Sequence, residues 1–207
     1  SSPQVVFGDG VIELAFDAAL NSRIALIGAA PFTAFEPSEA VRLADGTAVT
    51  RFLRTAAEVR PIDGPHGRGR EQVVRGLSAE GLEKTVTLRL YDRHPGFVLI
   101  RTAYRNTGAE PVALAGWING AHALLPSSGD LAAWTFAGAS FADRRDWIQP
   151  VTRDYDQRNF MGMNASDYGG GTPCADVWRR DGGIAVGHVE RVPMAVALPV
   201  TRLANGV

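Results

Sequence analysis

The chain holds 207 residues, 45% of them hydrophobic and 21% charged, and its 21 Lys+Arg against 22 Asp+Glu leave a formal net charge of −1. That is enough material for one globular domain over 1–207, or two tightly joined lobes, and it lacks the cationic excess of phosphate-backbone binding, so nucleic acid is not an expected partner. No run reaches the ~20 apolar residues of a membrane-spanning helix, and the single cysteine, Cys174, excludes an internal disulfide and a cysteine-based metal cluster.

Apolar residues recur with period two, the spacing at which a strand sends alternate side chains to opposite faces. Ile12, Leu14 and Phe16 alternate with Glu13, Ala15 and Asp17, and Val41, Leu43 and Val49 flank the hairpin pair Asp45-Gly46. The stretch Gly64 to Arg70 reads as a flexible cationic loop. Leu82, Val86, Leu88 and Leu90 share one face of a long strand, interrupted by Lys84, the chain's only lysine. Turns at His94-Pro95-Gly96 and Asn106-Thr107-Gly108 bound a strand from Phe97 to Tyr104, and a third strand, Val112 to Ile118, completes an expected antiparallel meander.

Leu125 to Asp130 reads as a polar turn, and Arg144 to Thr172 as a long irregular excursion of the kind that carries function. Beyond it, Val177 to Arg180 and Ile184 to Gly187 flank the hairpin turn Asp181-Gly182-Gly183. Strand-like runs at ~8–12-residue spacing, with no helical period between them, predict an all-β fold, a large antiparallel sandwich of two sheets.

Few chemical motifs stand out. Gly67-Arg68-Gly69 lacks the third glycine and following helix of a dinucleotide fingerprint. Gly138-Ala139-Ser140-Phe141-Ala142 lacks the second glycine of a nucleophile elbow. His188 and Glu190 share a strand face, but two ligands make no metal site, and a hydrogen-bonded structural histidine is the better reading. Cys174 reads as a small buried residue rather than a thiolate. The twenty arginines beside one lysine reflect either a biased source composition or planar forks chosen for carboxylates and phosphates.

Asp143, Asp146, Asp154, Asp156 and Asp167 fall in or beside the irregular excursion, with Trp147, Tyr155 and Tyr168. Carboxylates accept hydrogen bonds from sugar hydroxyls and aromatic rings cover sugar C–H faces, so the mixture suits a carbohydrate. A solvated loop with a few aromatic anchors explains it equally well. A catalytic carboxylate pair at ~5–9.5 Å cannot be located from spacing along the chain.

The run Asn159 to Trp178, with Asp167-Tyr168-Gly169-Gly170-Gly171-Thr172-Pro173-Cys174-Ala175-Asp176-Val177-Trp178 at its core, followed by Gly182 to Glu190, resembles the end of the N-terminal β-domain in α-galactosidase-like enzymes of glycoside hydrolase family 36. The upstream runs Gly76 to Tyr91, Pro95 to Phe97 and Tyr104 to Gly108 are similar to that domain's central strands. Cys174 departs from the aliphatic residue expected there.

The resemblance implies a supersandwich placed before a catalytic (β/α)₈ barrel that hydrolyses terminal α-galactosides with retention, without a metal or organic cofactor. The barrel's aspartate motifs are absent, so no catalytic residue is assigned and the domain alone is expected to be inactive. Trp147, Asp167, Tyr168 and Asp176 are the residues expected near the sugar at the barrel mouth. The implied partners are a galactoside-type carbohydrate, reached through the full enzyme, and the barrel of the same protein. Homo-oligomer formation and compartment stay open. Two rival readings are an autonomous carbohydrate-binding sandwich and a structural or oligomerisation domain.

Overall fold

A computed structural model describes residues 4–125, 131–136, 148–157, 174–189 and 197–204. Among them are sixteen β-strands in antiparallel sheets and no helix, hence no helix long and apolar enough to cross a membrane. The fold is all-β and sandwich-type, as period-two patterning predicts. The described residues form five sheets, and the chain divides into two compact units, Ser1–Leu125 and Pro126–Val207.

The first unit carries three sheets. Strands β1 (Val5–Gly8), β2 (Ile12–Phe16) and β3 (Ser22–Leu26) form one. Its first turn is set by Asp9, whose carboxylate accepts the backbone N–H groups of Val11 and Ile12 while Gly10 takes φ 87°. A second sheet has the order β10 (Leu114–Ile118), β4 (Ala40–Leu43), β5 (Ala48–Val49), with Gly46 at φ 90° closing the Asp45-Gly46 turn. The third is the meander β6 (Leu53–Gly64), β7 (Gly67–Leu77), β8 (Leu82–Tyr91), β9 (Val98–Asn106).

Two sequence-based expectations change here. Residues 64–70 are not a loop: Gly64 pairs with Gly67 across a two-residue turn at Pro65 and His66, and both flanks continue as strand. Glycine at φ 91° makes so tight a reversal possible at Gly67. The third strand of the expected meander, β10, leaves β9 and pairs with β4 instead. Alternation tells which face a residue occupies and says nothing of which strand lies beside it.

The core of this unit gathers Phe7, Leu14, Phe16, Leu20, Val41, Val49, Phe52, Val74, Val86 and Leu88 from all three sheets. Leu20 sits at φ 54°, a conformation that side chains with a Cβ rarely adopt. Asp17 holds this turn by accepting N–H bonds from Ala19 and Asn21 and a bond from the Asn21 amide.

The second unit contains a four-stranded sheet in the order β12 (Ile148–Pro150), β11 (Ala132–Phe136), β14 (Cys174–Arg179), β15 (Gly182–Gly187), and a short pair, β13 (Asp156–Gln157) with β16 (Val200–Thr201). The hairpin expected around Asp181-Gly182-Gly183 is the β14–β15 connection. One face of the four-stranded sheet is tied down by Tyr155, whose hydroxyl lies 2.7 Å from Thr135 Oγ1 and donates to Gln149 at 3.2 Å. Arg202 donates to the carbonyls of Val151 and Leu131, anchoring the chain after β16.

Candidate functional site

The other face of that sheet holds Asp176, which among the residues expected near the sugar at the barrel mouth is the one that falls within the described residues. It lies mid-strand in β14, directly opposite Trp134 of β11 and Ala185 of β15. Directly opposed residues on an antiparallel pair share a face, with Cβ atoms about 4.5–5.5 Å apart. Trp178, two residues along β14, points the same way. The register therefore brings a carboxylate between two indoles, one across the sheet and one along the strand. Phe136, Ile148 and Cys174 continue the face on one side, and β15 contributes Gly183, Ala185 and Gly187 on the other.

The small residues of β15 lower one flank of the face. Gly183 is constrained to be small, because a Cβ there would come 2.9 Å from Cβ of Trp178. Trp178 is 41% exposed, Ile148 is exposed, and Trp134 and Asp176 are half-buried. Among the described residues, the Asp176 carboxylate receives no hydrogen bond and no ion pair. Half-buried and without a protein donor, the carboxylate keeps both oxygens free to accept hydrogen bonds from a ligand. Burial pushes the Cys174 thiol up, with the Asp176 charge adding to it, so Cys174 is no thiolate nucleophile.

Three further polar clusters are structural ties. Lys84 Nζ, with a fully buried side chain, donates to the carbonyls of Glu39 at 3.0 Å and Leu20 at 3.4 Å, and lies 3.8 Å from Oε2 of the equally buried Glu39. It also sits 4.6 Å from the centroid of the Phe52 ring. Burial lowers the Lys84 pKa and raises that of Glu39, each against the pull of the partner charge. Tyr104, opposite Lys84 on β9, is pushed up by burial and by the Glu39 carboxylate.

On the opposite face of the same sheet, Glu71, 2% exposed at its side chain, is clamped by Arg89 at 2.6 Å and Arg60 at 2.5 Å, and these donors hold its carboxyl below the usual range. Ser38 Oγ lies 3.2 Å from His122 Nδ1, with Glu36 accepting the N–H of Ala123. Ser38 is completely buried, so no substrate reaches it and hydrolase chemistry does not follow. His188 hydrogen-bonds the Ala197 carbonyl at 3.2 Å, the structural role expected of it.

Trp147, Asp167 and Tyr168, the other residues nominated from sequence, lie outside the described residues, as does Glu190. Sequence reasoning missed Trp134. Its signal was the alternation in Ala132-Ala133-Trp134-Thr135-Phe136, which puts Trp134 and Phe136 on one face, but the pairing of β11 with β14 is needed to set that face beside Asp176. No family model matches the chain, and neither a curated protein nor a solved structure is significantly similar to it.

Proposed function

We propose that the chain is a non-catalytic β-sandwich domain of a glycoside hydrolase resembling the retaining α-galactosidases of family 36, and that it helps to shape the sugar site of a following (β/α)₈ barrel. The observation that carries this reading is the placement of Asp176. Within the distinctive string of the family resemblance, it is held at the centre of a sheet beside two tryptophans with its carboxylate oxygens unengaged among the described residues. The all-β fold agrees with a domain of this kind, and fold alone does not assign function.

The reading is tested by the coding sequence downstream of Val207. Several βα units with aspartates at strand ends are the expected result, and a stop codon or an unrelated domain overturns it. The aromatic face also favours a second reading, an autonomous carbohydrate-binding module, for which no barrel is needed.

A further inference from the structure

We infer that the chain itself holds a neutral saccharide on the β11–β14–β15 face, with Trp178 stacking on the sugar ring, Asp176 accepting hydrogen bonds from two of its hydroxyls, and Trp134 flanking the carboxylate across the sheet. The chemistry of the face selects the ligand class. Among the described residues, the paired strands carry one charge on this face, the Asp176 carboxylate, which disfavours anionic ligands; the exposed Arg180 lies beyond them in the β14–β15 turn. Arg179 and its partner Asp181 do not offset it, because Arg179 falls on the alternate face and pairs locally at 3.1 Å.

A strand rises about 3.4 Å per residue, so Asp176 and Trp178 stand about 7 Å apart on one face. A ring stacked on the indole can thus place hydroxyls against the carboxylate. The low flank at Gly183, Ala185 and Gly187 leaves room for it. A quaternary ammonium ion is the rival ligand for aromatic rings beside an acid. It calls for rings converging as a cage, whereas residues on one face of a sheet stand side by side and offer a platform. The inference is independent of the barrel: an isolated module and an enzyme domain would use the same residues.

The test is titration of the 207-residue chain with methyl α-galactopyranoside, methyl α-glucopyranoside, maltotriose and tetramethylammonium, followed by tryptophan fluorescence and by amide chemical shifts. At least one sugar should give a saturable change in the millimolar range, localised to β11, β14 and β15. Trp178→Ala and Asp176→Ala should each weaken binding at least tenfold, Trp178→Phe should recover part of the loss, and Trp117→Ala, at an exposed tryptophan of the first unit, should change nothing. Amide spectra of each variant confirm its fold. No saturable response to any sugar, binding that survives both the Trp178 and Asp176 substitutions, or a response to tetramethylammonium alone overturns the inference. Each of those outcomes leaves the downstream-sequence test of the enzyme reading intact.

Discussion

Replacing Lys84 with methionine keeps most of the side-chain volume and removes the charge, so it isolates the worth of the buried ammonium. Two carbonyls, those of Leu20 and Glu39, lose their donor at once, and the Glu39 carboxylate, whose Oε2 has no hydrogen-bond partner, loses the cation 3.8 Å away. Removing one partner of a buried pair costs about 3–5 kcal/mol. For a chain of this size that is a fall in melting temperature on the order of 10 °C. The pH dependence carries the sign. Burial raises the Glu39 pKa above 4.5, so between that value and its folded pKa the folded chain holds a proton that the unfolded chain has released, and stability rises as pH falls through this window.

Lys84→Met widens that window, because the cation that pulled the Glu39 pKa back is gone. The variant should therefore regain more stability than the parent as pH falls towards 4.5. Lys84 acts at the other end: its folded pKa lies below 10.5, the unfolded chain binds the extra proton between the two values, and the parent alone gains stability as pH climbs through that range. Urea unfolding of the parent, Lys84→Met, Glu39→Leu and the double variant closes a thermodynamic cycle. The double variant should recover most of the loss, since an apolar replacement of a buried pair is often neutral or better. Additive losses in the double variant, or a Lys84→Met variant with no gain in acid, would refute this account of the pair.

Glu71→Gln should cost about 1–2 kcal/mol by urea unfolding, a figure kept low because its arginine partners are 48% and 69% exposed. It should also remove an acid-side step: the depressed Glu71 pKa lends stability above 4.5 that is lost as pH falls through the folded value, and an unchanged profile would contradict the clamp. Gly76→Ala places a Cβ 2.7 Å from Leu20 Cδ1 and 2.9 Å from the Leu53 carbonyl, beside Lys84 on the next strand, so a loss of about 1–3 kcal/mol is expected and a neutral result would mean that the Leu20 turn yields freely. Burial holds the His122 pKa below 6.5 against the pull of Glu36; stability should fall as pH drops from 6.5 through the folded value, and His122→Gln should flatten that slope in a pH series of thermal melts.

Much of the strand pattern was legible because it is a local property. Alternation in 82–90 put Leu82, Val86, Leu88 and Leu90 on one face, and the structure buries all four. The same reading placed Lys84 on that face but could not say what receives it: Glu39 and Leu20 stand 45 and 64 positions away in the chain. The Glu71 clamp was likewise hidden, although it gives some of the arginine excess a structural use, as do Arg23 stacked on Phe35 and Arg70 on Phe7. Planar guanidinium groups stack and grip in ways an ammonium cannot.

Asp176 shows where the two kinds of information divide. By itself, the sequence determined an all-β chain and the β14–β15 hairpin, since each follows from period two and from turn chemistry within a few residues, but it began the strand at Val177, whereas β14 starts at Cys174 and takes in Asp176. Tertiary structure alone decided that Trp134, 42 positions upstream of Asp176, lies across from it, and that β10 joins β4 rather than β9. Strand neighbours are chosen by the total burial and backbone hydrogen bonding of the assembled sheets. That choice depends on residues far apart in the chain, and no local pattern records it.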